Sequence, residues 1–229
     1  MTAGKIVWDA AGTKKYELGA DHGVLYPQVA GAYPLGVAWN GLTSVSYSPD
    51  GAEAQDMWAD NMKYGSIRSA ETVGGTIECY TYPDEFAACD GSAELAKGVK
   101  IGQQARQSFG FCWRTAQGSD ADNSLDTDKT YKLHIVYGAT ASPSEKQYDT
   151  INDSPEAITM SYEFDTVPVP VTGFKPTAYI EIDSTTVDAT KLASLLEILY
   201  GKNATTEPAS AGVAARLPLP DEIKTLLTV

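Results

Sequence analysis

Histidine, cysteine and long apolar runs are all scarce in this chain of 229 residues. With two histidines in the whole chain, His22 and His134, a histidine-based catalytic triad or zinc site is hard to assemble. Three cysteines, Cys79, Cys89 and Cys112, form no C-x-x-C pair, so neither a disulfide scaffold nor a zinc site is expected and a reduced cytosolic setting is the simplest inference. No apolar run approaches membrane-spanning length, and the N-terminal Met1-Thr2-Ala3-Gly4-Lys5-Ile6-Val7-Trp8-Asp9 lacks a signal peptide's apolar core. A soluble chain without membrane insertion, not exported by that route, is therefore expected. Nucleophile-elbow, zincin, P-loop and dinucleotide-binding motifs are missing, and the adjacent carboxylates Asp84 and Glu85 would diverge at a helix start. Neither enzyme activity nor a cofactor is expected. Basic charge is short as well: 17 Lys and Arg against 30 Asp and Glu leave a net charge of −13, which repels a polyanion such as DNA.

Tyrosine (13), glycine (20) and proline (12) are plentiful, and most apolar runs are short and alternating. That pattern predicts an all-β or β-rich α+β fold. The organising stretch runs from Val73 to Gly91. A Gly74-Gly75 break leads into a strand with Ile77, Cys79 and Thr81 on one face and Thr76, Glu78, Tyr80 and Tyr82 on the other. Pro83 ends it, and Asp84 and Glu85 suit the start of a short helix anchored by Phe86 and closed at Asp90-Gly91.

Alternation predicts further strands at 5–8, 16–18, 42–48, 99–101, 107–115, 130–137, 157–166 and 178–183. Phe109, Phe111 and Trp113 share one face; Tyr131, Leu133, Ile135 and Tyr137 share another; Ile158, Met160, Tyr162 and Phe164 read as inward. His134, opposite its apolar neighbours, reads as a hydrogen-bonded surface residue. Leu192, Leu195, Leu196 and Leu199 mark a helix stopped at Gly201, and a second begins near Pro220-Asp221-Glu222. Residues 1–40 read as an N-terminal arm with loose aromatics, and 41–229 as the β domain with C-terminal helices. Residues 52–64 are expected to be an extended loop. The acidic loop 118–129 starts like a calcium loop at Asp120 and Asp122, yet lacks its glycine and its closing glutamate.

Several phrases, in order over residues 40–225, resemble the major tail protein, or tail tube protein, of long-tailed non-contractile bacteriophages. They are Ala59-Asp60-Asn61 with Lys63-Tyr64; Gly75-Thr76-Ile77-Glu78 into Tyr80-Thr81-Tyr82-Pro83-Asp84-Glu85-Phe86 and Cys89-Asp90-Gly91; and Arg114-Thr115 with Gly118. Further on come Tyr131-Lys132-Leu133-His134, Tyr137-Gly138, Pro143-Ser144-Glu145, residues 150–156, Lys175-Pro176-Thr177, and Leu217-Pro218 with Pro220-Asp221-Glu222. The resemblance implies a mainly β fold, a β-sandwich or barrel-like domain with a flanking α-helix and long inter-subunit loops, serving as a structural subunit of a virion tail, made and assembled in the host bacterial cytoplasm. Six copies would close into a ring whose inner sheets merge. Rings would stack into a hollow tube around the tape measure protein, meet tail terminator and distal tail proteins at its ends, and pass DNA without binding it specifically. On that reading Glu78, Glu163, Asp165, Glu181 and Asp183 are candidate lumen-facing acids. Tyr26, Tyr33, Trp39, Met57, Trp58, Asp60, Asn61, Tyr64, Tyr82 and Arg114 are candidate inter-subunit contacts. The alternative is a monomeric β-sandwich carbohydrate-binding module stacking sugars on Trp39, Trp58 and Tyr64.

Overall fold

The computed structural model describes residues 6–51, 53–121, 130–148, 150–151, 153, 156–206 and 209–228. The chain is mainly β. It opens with β1 (Lys15–Pro27), β2 (Val37–Trp39), β3 (Leu42–Gly51), β4 (Ala54–Ala59), β5 (Met62–Arg68) and β6 (Glu71–Cys79). Next come α1 (Phe86–Cys89), β7 (Ala93–Ala96), β8 (Val99–Ile101), β9 (Phe109–Ser119), β10 (Tyr131–Ala141), β11 (Met160–Thr166) and β12 (Tyr179–Asp183). The remainder is α2 (Ala189–Tyr200), the small pair β13 (Thr205–Thr206) and β14 (Ala209–Ser210), and α3 (Pro220–Thr228).

One sheet runs in the order β2-β1-β9-β10-β11-β6-β3, with β12 on β10. Strands β2 and β3 lie at its two ends, yet Asn40 and Gly41 alone connect them. Three peptide steps reach about 10 Å at most, so the sheet has to curl until its ends meet. Gly41, at φ +79°, takes the corner, and Leu42 comes so close to Gly23 that a β-carbon there would overlap it. The result is a barrel-like sandwich, closed at this corner by packing rather than by a strand ladder.

Alternation then divides the side chains between two cores. Inside the curl, Phe109, Phe111 and Trp113 of β9 meet Ile77 of β6 and Tyr162 and Phe164 of β11, with Trp39 and Phe86 wedged between. Phe86 packs against Trp39 at 4.6 Å, Tyr162 at 4.8 Å and Phe109 at 5.6 Å between ring centres. Such tilted pairs each add roughly 0.5–1.5 kcal/mol beyond area burial. Outside the curl, Leu133, Ile135 and Tyr137 of β10 and Cys112 of β9 lie under Leu192, Leu195 and Leu199 of α2 and Ile223 of α3. Asp188 caps α2 by accepting from the Thr190 and Lys191 amides at 3.0 and 3.1 Å. Gly138, at φ +59°, breaks the alternation of β10, so Ala139 and Ala141 turn into the inner core after Tyr137 has faced out.

Four expectations are corrected. Residues 52–64 are not a loop: β4 and β5 form a hairpin that continues the β3–β6 pair outward, turned by Asp60 and Asn61 at φ +52° and +62°. Residues 15–39 are not a detached arm, because β1 sits between β2 and β9 in the main sheet. Ile158 is exposed and precedes its strand, so the inward set of β11 narrows to Tyr162 and Phe164 with Met160 half-buried. Of the strand expected at 5–8, Lys5 lies outside the described residues, and 6–8 are exposed and in no strand.

Phe86→Ala should cost about 3–5 kcal/mol by opening the space between the two walls of the inner core. Urea denaturation of the purified chain measures it.

Candidate functional site

The part of the sheet farthest from the corner is a four-stranded antiparallel ribbon. Residues 15–18 of β1 pair with 116–119 of β9, which pairs through residues 111–116 with β10, which pairs with all of β12. Strand β2 covers β1 only at Gly23–Leu25, and β12 pairs with β10 alone. Among the described residues, both outer strands of the ribbon therefore have an edge with no strand beside it. Such edges invite another strand unless something blocks them.

The two faces differ. On the helix side, Ile180 and Ile182 of β12 belong to the outer core, whereas Tyr16 and Leu18 of β1 stay 39% and 45% exposed. The opposite face is a polar network. Lys132 bridges Glu17 at 2.5 Å and Glu181 at 3.0 Å. His134 contacts the Thr115 hydroxyl at 2.8 Å and the Tyr179 hydroxyl at 2.6 Å, and Thr115 donates to Glu17 at 3.2 Å. The ammonium of Lys132 holds the Glu17 carboxyl below its usual range against a smaller opposing effect of burial. Burial keeps His134 neutral by pushing its pKa down, with Glu181 and Glu17 pulling the other way. Behind the network a file of rings, Phe111, Trp113, His134, Tyr179 and Tyr47, runs from core to surface at centre spacings of 5.6, 5.0, 6.1 and 4.3 Å. His134, expected at the surface, is thus buried, because the curl brings its face inside.

The five acids expected to line one surface divide between two. Glu78, Glu163 and Asp165 lie on the outer face of the β3-β6-β11 wall, where Ser44 donates to Glu78 at 2.7 Å and Glu163 sits opposite Thr76. Glu181 and Asp183 lie on the polar face of the ribbon. Tyr26, Tyr33 and Trp39 are corrected from contact residues to core: their exposures are 0, 2 and 2%. Their polar atoms are satisfied within the chain, Tyr26 donating to the Leu199 carbonyl, Tyr33 accepting from the Gly138 amide and Trp39 donating to the Thr81 carbonyl. Arg114 is buried too, against Asp21, His22 and the face of Tyr131, and Tyr82 is half-buried against Phe86 and Tyr162. Burial of Trp39 removes one of the three sugar platforms the alternative needs.

The remaining expected contacts, Met57, Trp58, Asp60, Asn61 and Tyr64, are all exposed on the β4–β5 hairpin, together with Met62 and Ile67. Trp58 and Tyr64 are 70% and 76% exposed, an unusual load of apolar surface for an arm standing in water. Sequence reasoning missed the ribbon edges. The alternation of Lys15, Tyr16, Glu17 and Leu18 is visible in the residues, but which strands end a sheet is not.

Among the described residues, neither an exposed thiol nor a metal-binding cluster accompanies these surfaces. All three cysteines are buried, and burial pushes the Cys89 and Cys112 thiols up to about 12 and raises Cys79. Among the described residues, no group of three or more His, Cys, Asp or Glu side chains could hold a metal ion. In the acidic loop 118–129, Asp120 accepts from the Gly12 amide at 2.9 Å, while 122–129, including Asp122, lie outside the described residues. No described helix is long and apolar enough to cross a membrane. A scan of protein-family models gives no match, and neither does a search of curated proteins.

Acid should loosen this fold in two stages. Folded His134 titrates below its ordinary 6.5, so an unfolded chain binds more protons there and stability drops as pH falls below 6.5. Glu17 titrates below its ordinary 4.5 when folded, so its contribution, full above 4.5, fades as pH falls through the folded value. Urea unfolding across this range on wild type and His134→Gln should show the upper stage vanish in the variant and the lower stage persist.

Proposed function

We propose that this chain is the structural subunit of a bacteriophage tail tube, in which copies join edge to edge into six-membered rings and the rings stack. The observation that carries this reading is the ribbon with two open edges. Its four strands alternate in direction, so the two edge strands run opposite ways. The β12 edge of one copy laid beside the β1 edge of the next therefore continues an antiparallel sheet, and each copy again leaves one edge of each kind free. A head-to-tail contact of that sort generates a closed ring whenever its rotation closes. Ring closure would remove every ribbon edge at once, as in a barrel.

The resemblance of residues 40–225 to tail tube proteins supports the same reading. The hairpin adds to it: an apolar arm bearing Met57, Trp58, Met62 and Tyr64 projects from the body and suits a contact between stacked rings. Many repeated modest contacts then hold the tube together. The ribbon face with Glu17, Glu181 and Asp183 would form the bore, around the tape measure protein and later around DNA. A net charge of −13 per copy keeps phosphates from sticking to it. Tail terminator and distal tail proteins would meet the two ends of the tube.

Negative-stain microscopy of the concentrated protein should reveal rings or tubes; a chain that stays monomeric at every concentration would refute the reading. Replacing residues 54–68 with a short turn should leave a folded subunit that forms rings but no long tubes. Analytical ultracentrifugation distinguishes the two products.

A further inference from the structure

We propose that neighbouring copies meet with β12 of one against residues 15–18 of β1 of the next, and that Asp183 and Lys15 form the charge pair selecting this seam. This rests on the tube reading above and adds which side chains choose the partner.

On the polar face, the β12 edge carries Glu181 and Asp183 and the β1 edge carries Lys15 and Glu17. Glu17 and Glu181 are already held by Lys132 of their own chain. Asp183 and Lys15 remain: neither has an ion pair within 4 Å among the described residues. Asp183 is instead oriented by Thr185, whose amide and hydroxyl donate to it at 2.8 and 2.6 Å. One edge thus ends in a fixed carboxylate and the other in an ammonium with no ion pair among the described residues.

The helix-side face points the same way. Tyr16 and Leu18 share it with Ile180 and Ile182, because Leu18 is level with Ala116, Ala116 with Tyr131, and Leu133 with Ile182. At the β12 edge this face is roofed by α2 and Val187; at the β1 edge it is bare. Joined head to tail, the bare Tyr16 and Leu18 of one copy extend the roofed apolar strip of the other. Two β12 edges would instead set carboxylate against carboxylate, and two β1 edges would halt at a dimer with both acidic edges still open.

Within one copy, burial pushes the Asp183 carboxyl up, but hydrogen bonds from Thr185 and Gln117 bring it below its usual range, and the charge of Lys15 across the ribbon adds a smaller pull the same way. A charge swap within one chain would therefore not separate a contact inside a copy from one between copies. Mixing does. Lys15→Glu and Asp183→Lys, each alone, should need about tenfold more protein than wild type to assemble, or should fail altogether. An equal mixture should form tubes at the wild-type concentration, because in an alternating ring every seam again opposes a lysine and an acid. Circular dichroism and thermal melting check that each variant is folded. Leu18→Ser, on the apolar side of the same edge, should weaken assembly without rescue by either charge variant. The inference is overturned if the single variants assemble like wild type, if the mixture stays dispersed while wild type assembles, or if assembly stops at pairs. Wild type that never assembles removes the tube reading, and this inference with it.

Discussion

The shortest connection in the sheet governs the rest of the fold. Because only Asn40 and Gly41 separate the strands at opposite ends of the order, a flat sheet is impossible for this chain. Curling creates an inside, and the inside has to be filled at crystalline density. Trp39, Phe86, Phe109, Phe111, Trp113, Tyr162 and Phe164 fill it with rings in tilted and edge-on contact. The outer face of β9 and β10 is left apolar by the same alternation, and the two C-terminal helices cover it. The bulge at Gly138 lets one long strand serve both cores.

Curling also decides what remains uncovered. The corner takes in the C-terminal part of β1, while residues 15–18 and β12 project as an open ribbon. The ion pairs on its polar face are half in water, and pairs of that kind contribute about 0–1 kcal/mol each. Their number is therefore a poor account of stability. What the network does is hold Glu17 and Glu181 in place, so that the two edges present different chemistry. Hairpin and ribbon sit on different elements, so the chain carries two separate exposed surfaces.

Much of this was legible in the residues. The period-two pattern of Phe109, Phe111 and Trp113, of Tyr131 through Tyr137, and of Ile77 and Cys79 set the correct faces. Helical spacing of Leu192, Leu195 and Leu199 and the glycine after Tyr200 located α2. The hairpin at 54–68 was not legible, because its strands are exposed on both faces, so no alternation marks a buried side, and its turn rests on Asp60 and Asn61 adopting a left-handed backbone without glycine. The burial of Tyr26, Tyr33 and Trp39 leaves no local mark, because it comes from distant partners: Cys112 and Leu199 at Tyr26, Tyr137 and Leu217 at Tyr33, and Phe86, Phe111 and Tyr162 around Trp39.

By itself, then, the sequence determined composition, strand faces, helix ends and the scarcity of histidine and cysteine, since each follows from local spacing or from residue type. Only the tertiary structure decided which strands end the sheet, that His134 lies inside, and that the acids divide between two surfaces. Those depend on pairings between residues far apart in the chain, such as Leu18 with Ala116 and Leu133 with Ile182, and a pairing partner leaves no mark on the strand that awaits it.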